Sequence, residues 1–221
     1  MTAVSTPQPG RAGYLGSENA LTNAIDRWVY VLMAAFFIAI TLTGFIPDSI
    51  AKIAAVEAGE RPPFPLVLHV HSALMGSFLL LLFAQTTLAA TGRLEYHQRL
   101  GVAAAVLVPA IVVAGFILVP TIYHQIWGGM QAAPAEARAG IQALLRFVDN
   151  VMLIQIRVGI LFPLFLLIAL MARKIDSGLL KRMVFLAVAP ALPAAFDRIT
   201  WLPNTLPESP LSPDLYILFA V

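Results

Sequence analysis

The chain alternates between long uncharged apolar runs and short polar segments. The first run, Trp28–Ile46, has 19 residues without a charge, close to the roughly 20 residues that a helix needs to cross about 30 Å of hydrocarbon. Similar runs predict four more spans, at 66–91, 100–120, about 147–172 and about 179–196. The last run, Leu215–Val221, is too short to cross. The pattern predicts an all-α, polytopic transmembrane helical bundle of five spans plus the start of a sixth.

Composition narrows the class of protein. Hydrophobic residues make up 59% of the chain and charged residues 12%, about half the charged share of a soluble domain. The lipid bilayer is therefore the expected partner, and an ordinary water-soluble enzyme is excluded. The narrow excess of 14 basic over 12 acidic residues does not indicate a nucleic-acid surface. The chain has no Cys, so any metal or haem site depends on His, Met or carboxylate ligands.

Basic residues in the flanks predict the orientation. Residues 1–27 are polar and contain several Pro and Gly, which favours a flexible cytoplasmic tail, followed by the bundle over 28–202. Residues 203–221 are expected to form an outer loop and an incomplete or docked apolar tail. With the N-terminus inside, eight basic residues face the cytoplasm: Arg11, Arg27, Arg93, Arg99, Arg173, Lys174, Lys181 and Arg182. Only Lys52, Arg61, Arg138 and Arg146 lie opposite, so the positive-inside rule favours a cytoplasmic N-terminus.

Two charges interrupt the apolar runs at similar predicted depth. Counted from the cytoplasmic arginines at ~1.5 Å per residue, Arg157 lies roughly 24 Å and Asp197 roughly 22 Å into the membrane. An ion pair between Arg157 and Asp197 is the simplest interpretation, because either charge alone is costly in the membrane. The alternative is that Arg157 neutralises a bound anion, such as a haem propionate or a substrate carboxylate.

Three of the four histidines are predicted to lie near the outer boundary. His71 is 22 residues from Arg93, roughly 33 Å, and His124 is 25 residues from Arg99, roughly 37 Å. His69 lies beside His71 but points about 200° away on the same helix. A b-type haem needs two histidines on different helices at one depth, so His69 or His71 with His124 is a candidate ligand pair, with Arg157 nearby. The alternative is that these histidines are amphipathic residues of the membrane interface.

Other interpretations of the same residues stay open. His71 and His124 are candidate metal ligands together with a carboxylate such as Asp149 or Asp197, although no recognised zinc motif is present. Small residues following His69, namely Ser72, Ala73 and Gly76, form a face of the type that packs against a neighbouring helix. This face favours a partner among other membrane subunits.

Two sequence blocks contain regularly spaced histidine, glutamine, glycine and arginine residues. The first block comprises Leu68–Leu74 (L-H-V-H-S-A-L), Gln85, Ala90–Arg93 (A-T-G-R) and His97–Gly101 (H-Q-R-L-G). It resembles the pattern H-x-H-G-A-L, Q, A-x-G-R and H-R-R-L-G of a family of bacterial polytopic membrane proteins without a known activity. The second block comprises Lys181-Arg182-Met183, Ala189 and Asp197-Arg198. The resemblance covers about Asp26 to Arg198, with departures at Ser72, Gln98 and Leu180.

This resemblance implies a multi-pass protein of the bacterial inner membrane and names no reaction. A more distant likeness is to cytochrome b561-like membrane proteins, which implies haem. The leading expectation is an outward-facing polar pocket lined by histidines that binds one b-type haem for electron transfer. The alternatives are a non-catalytic accessory or structural subunit of a larger complex, and a small-molecule transporter or metal-dependent membrane hydrolase. The sequence leaves open whether the protein is an enzyme.

Overall fold

The computed structural model describes residues 9–203 and 215–216, and every regular element in these ranges is helical. The elements are α1 (Pro9–Glu57), α2 (Leu66–Ala90), α3 (Leu94–Gly101), α4 (Ala104–Ala132), α5 (Ala135–Ala172), α6 (Ser177–Val188), a 3₁₀ turn (Ala189–Ala191) and α7 (Pro193–Phe196). Within the described ranges, four helical stretches are long and apolar enough to cross a membrane: 24–57, 66–90, 94–132 and 135–172. The predicted all-α architecture is confirmed, and several of its helices are long and apolar enough to cross a membrane.

Local sequence signals account for the helix ends. Gly92, at φ +74°, follows α2, and the amide of Arg93 donates to the carbonyl of Leu88, as in a glycine-terminated helix. Gly59, at φ +73°, lies just beyond the end of α1. At the start of α6, the Asp176 carboxylate accepts hydrogen bonds from the amides of Gly178 and Leu179 at 2.8 and 2.9 Å, which caps the helix.

The N-terminal segment is helical from Pro9. Residues 9–27, for which the sequence favours a flexible tail, belong to α1. Pro9 occupies the first position of the helix, where its missing N–H costs nothing. Glu18, Ala20 and Leu21 are strong helix formers that offset the glycines before them. Residues 1–8 lie outside the described part of the chain, as do 204–214 and 217–221 of the predicted C-terminal tail.

Aromatic and aliphatic side chains form one core between the helices. Phe37 of α1 is fully buried and meets Phe185 of α6 with 5.5 Å between ring centroids. Phe78 of α2 meets Phe162 of α5 edge-on at 5.1 Å, a favourable aromatic geometry. These pairs tie the first, second, fifth and sixth helices together, and Ile111 of α4 completes the core.

The fifth predicted run forms a broken helix that lies beside α1. We call this stretch, from the start of α6 to the end of α7, the α6–α7 segment. Pro190 and Pro193 lack the N–H that a continuous helix requires, and the chain changes from α6 through the 3₁₀ turn to α7 between them. The segment starts against α1 at Tyr30, whose ring lies 5.4 Å from that of Phe185. It later passes Gly44, where a Cβ atom would overlap the carbonyl oxygen of Ala195. The backbones can approach this closely because position 44 has no side chain.

Candidate functional site

Four charged side chains join the end of α1 to the residues that follow α7. The carboxylate of Asp48 accepts from Lys52 Nζ at 2.6 Å and from Arg198 Nε at 3.3 Å. Arg198 also donates through Nη1 to Asp197 at 2.8 Å and to the carbonyl of Ala194. We call these four charged residues the Asp48 cluster, and the end of the bundle that contains them the Asp48 end. Two cations and two carboxylates neutralise one another, so the cluster fastens the two segments together.

Burial and stacking strengthen the Asp48 cluster. Its side chains are 24–38% exposed, and the Arg198 guanidinium lies 4.7 Å from the centre of the Phe45 ring, within cation–π range. Asp197 lies just beyond α7, and its burial holds the pKa of its carboxyl above the usual value, with the adjacent Arg198 cation acting in the opposite direction. The sequence predicts Arg157 as the ion-pair partner of Asp197. The structure assigns Asp197 a bond to Arg198, and the Arg157–Asp197 pair stays a prediction.

His71 lies between α2 and α4. A Cβ atom on Gly115 would be 3.5 Å from Cε1 of His71, so the imidazole packs directly on the backbone of α4. Its Nδ1 atom is buried near the carbonyl of Ile111 without a hydrogen bond of normal geometry. This contact fixes the level of His71 in the bundle.

The other two predicted ligands lie elsewhere. His124 is exposed and sits beside Tyr123, nine residues beyond Gly115 on α4 and therefore about 13 Å further along the helix axis. His69 is exposed and meets the edge of the Phe64 ring at 6.1 Å. Two imidazoles that ligate one haem iron lie at the same level on opposite sides of it. His71 and His124 lie at different levels in this structure, and a haem ligand pair of His69 or His71 with His124 stays a prediction.

His71 and His124 are also the predicted metal ligands. A catalytic zinc site uses three protein ligands. Over residues 9–203 and 215–216, no group of three or more His, Cys, Asp or Glu side chains is placed to hold a metal ion. A metal role for His71 and His124 therefore stays a prediction.

A second polar contact lies at the opposite end of the bundle. His97 Nδ1 of α3 is 3.1 Å from the carbonyl oxygen of Gln85 on α2. The Gln85 side chain lies against Gly101, where a Cβ atom would be 3.1 Å from Nε2. Nearby, Nε of Arg27 donates to the carbonyl of Ala90 at the end of α2. We call this the Arg27 end. The sequence signal for this contact is the first of the two sequence blocks, which contains Gln85, His97 and Gly101. The pattern alone does not say that these residues touch.

The small-residue face of α2 is open over half its length. Ser72, Ala73 and Gly76 are exposed, and a Cβ atom on Gly76 would meet nothing within 4 Å. Leu80, on the same face one turn further, is 62% exposed. The sequence predicts that this face packs against a neighbouring helix, and no described part of the chain covers Gly76.

Comparisons with family models, with curated proteins and with solved structures found no match. The interpretation of the sites therefore depends on their geometry.

Proposed function

We propose that this protein is a non-catalytic accessory subunit of a larger complex in the bacterial inner membrane, with five crossings and a cytoplasmic N-terminus. The observation that carries the proposal is the exposed small-residue face of α2. The crossings and the orientation rest on the packing of the α6–α7 segment and on the distribution of basic residues.

A fifth crossing is supported by the length over which the α6–α7 segment follows α1. Its contacts with α1 run from Tyr30, beside Phe185, to Asp48, which bonds Arg198. These two α1 residues are 18 positions apart, about 27 Å along a helix. That distance is close to the roughly 30 Å of a hydrocarbon core, so we infer that the broken segment crosses as α1 does.

The orientation is supported by the charges at the Arg27 end. The α2–α3 and α5–α6 connections lie there, with Arg93, Arg99, Arg173, Lys174, Lys181 and Arg182 in or next to them. Cytoplasmic loops carry an excess of Lys and Arg. The Arg27 end therefore faces the cytoplasm in this proposal.

The natural absence of cysteine makes the topology testable with single-Cys variants. We expect a membrane-impermeant maleimide to label Glu60→Cys and Trp201→Cys from outside intact spheroplasts, and to label Gln98→Cys and Ile175→Cys only after lysis. All four positions are exposed. Labelling of Trp201→Cys only after lysis would contradict the fifth crossing. External labelling of Gln98→Cys with protection of Glu60→Cys would contradict the orientation.

An accessory role follows from the physics of helix association in lipid. Lipid tails are as apolar as Leu, so helices associate largely through close packing, and small residues permit that approach. Gly76 and Ala73 provide a shallow surface on α2. Such a surface does not improve packing against lipid, whereas against another helix it allows the two backbones to come into contact. We therefore place a helix of a different membrane protein on this face.

Co-purification tests the proposal. We expect the tagged protein, expressed at its native level and extracted in mild detergent, to retain a stoichiometric membrane partner. Gly76→Leu fills the open face and is expected to lower the retained partner by about tenfold or more. Ala105→Leu is the matched control, because it adds a similar bulk to an exposed position of α4. Retention of the partner by Gly76→Leu, or association with a second copy only, would contradict the accessory role.

The absorption spectrum of the same purified sample separates this proposal from the haem interpretation. Because His71 and His124 are offset by about 13 Å along the helix axis, we expect no Soret band from protein made in haem-replete cells. A Soret band that disappears in His71→Ala would instead support a haem site and electron transfer. The transporter and hydrolase alternatives have no geometric support comparable to the open face of α2.

A further inference from the structure

A groove opens between α1 and α6 near the Arg27 end. Its volume is about 270 Å³, just below the roughly 300–1,000 Å³ of typical small-ligand pockets. Seven residues line it: Val29, Tyr30, Met33, Arg182, Met183, Phe185 and Leu186. All but Arg182 and Tyr30 have fully apolar side chains, so the groove accepts an apolar segment along most of its length.

Two cations stand at the polar mouth of the groove. Lys181 Nζ lies 5.2 Å from the centre of the Tyr30 ring. Arg182 is exposed and forms no ion pair with any residue that the structure describes. The nearest acids in sequence are Asp176, which caps α6, and Asp26, one helical turn before Tyr30 on α1. The lining itself contains no carboxylate, which favours an anionic occupant.

The groove also lies at the level of the membrane interface. Trp28, which is next to the groove residue Val29 in sequence, is 43% exposed. Exposed Trp residues concentrate at the headgroup level. A ligand in this groove would therefore have its charged part among the headgroups and its apolar part toward the hydrocarbon.

We propose that this groove binds one anionic phospholipid from the leaflet at the Arg27 end. The phosphate lies near Lys181 and Arg182, and one acyl chain lies along Met33, Phe185 and Leu186. Basic pockets between helices on the cytoplasmic side recognise anionic headgroups in this way. The inference does not depend on the accessory role, because the groove and Gly76 are separated along the bundle axis. Tyr30 of the groove lies at the Arg27 end, whereas Gly76 is in the half of α2 that is further from that end.

Lipid selectivity of the full-length protein in detergent tests the proposal. The probes are phosphatidylglycerol and phosphatidylcholine with identical acyl chains, and bound lipid is counted by native mass spectrometry. We expect one tightly retained phosphatidylglycerol, preferred over phosphatidylcholine by about tenfold or more. Each cation near an anionic headgroup contributes about fivefold, so Lys181→Gln with Arg182→Gln is expected to weaken binding by about 20- to 30-fold.

Matched variants separate a built site from general surface charge. Arg173→Gln with Lys174→Gln removes the same charge at the same end of the bundle but outside the groove, and is expected to change affinity by less than about threefold. Met33→Trp fills the apolar part and is expected to weaken both lipids. Free glycerol phosphate at the same concentration is expected not to compete, because it lacks the acyl chain.

Several results would overturn the lipid site. These are equal binding of the two lipids, equal losses in the two charge variants, competition by glycerol phosphate, or a dimer that forms through the groove regardless of lipid type. Size-exclusion elution and helical content by circular dichroism identify a variant that fails to fold. If Met33→Trp fails in this way, the comparison of the two charge variants decides, because all four of their positions are exposed.

Discussion

A single methyl group at position 44 is expected to destabilise the folded protein strongly. In Gly44→Ala, the new Cβ would overlap the carbonyl oxygen of Ala195 and lie 3.0 Å from its carbonyl carbon. Both are backbone atoms of α7, which cannot rotate aside as a side chain does. Overpacking a core typically costs 1–3 kcal/mol, and we expect about 3 kcal/mol or more here because α1 and α7 must separate.

Thermal unfolding in detergent, followed by fluorescence size-exclusion chromatography, measures this effect. Gly76→Ala is the control, since it makes the same change in a membrane-spanning helix where a Cβ meets nothing within 4 Å. It is expected to be neutral or to stabilise by up to about 1 kcal/mol through helix propensity. Equal melting temperatures for Gly44→Ala and the wild type would show that α7 does not lie against α1 as described.

Loss of Arg198 is expected to have the second-largest effect. Arg198→Met leaves Asp48 and Asp197 as two half-buried carboxylates without their shared cation. Removal of one partner from a buried ion pair costs about 3–5 kcal/mol and from a surface pair about 0–1 kcal/mol. The Asp48 cluster is intermediate in exposure, so we expect a loss of about 2 kcal/mol.

A double-mutant cycle identifies the interaction behind this loss. In the Asp48→Asn background, Arg198→Met should cause a smaller loss of stability than in the wild type. The expected coupling energy is about 0.5–3 kcal/mol, as for residues in contact. Arg99→Met is the control, because its ion pair with Glu95 is more than 70% exposed on both sides and should contribute less than about 0.5 kcal/mol. Additive effects of the Asp48 and Arg198 substitutions would contradict the assigned contact.

The sequence predicts the helical elements well where hydropathy decides them. Span two was expected at 66–91, and α2 is Leu66–Ala90, ended at Gly92. The fifth predicted run, at about 179–196, contains Pro190 and Pro193 and corresponds to the broken α6–α7 segment. The sequence does not predict that α1 continues past Pro47 to Glu57, because an internal proline breaks some helices and is accommodated in others.

Depth along a helix is harder to predict, as the histidines illustrate. The predicted depths of His71 and His124 are counted in residues from Arg93 and from Arg99, and both arginines are treated as lying at one level. In the structure, Gln85 of α2 lies against Gly101 at the end of α3, and His71 of α2 lies against Gly115 of α4. His71 is therefore level with Gly115, which precedes His124 by nine residues on α4. His124 then lies well beyond His71.

Charge partners are equally dependent on tertiary packing. Similar predicted depth suggests Arg157 as a partner of Asp197, and this pair stays a prediction because depth does not say which helices are neighbours. In the sequence, Asp48 and Lys52 are charges that follow the first apolar run. They become part of an ion-pair cluster only because α7 ends beside α1.

Photo-cross-linking beside Gly76 in native membranes tests the accessory role most directly. Leu80 lies on the same face of α2 and is 62% exposed, so a photoreactive phenylalanine analogue at position 80 replaces one large side chain by another and leaves Gly76 and Ala73 open. In the full-length protein this analogue is expected to form an adduct with a different membrane protein, and the same analogue at Ala105 is expected to form none. An absence of adducts at position 80, or adducts only with a second copy of this chain, would contradict the accessory role.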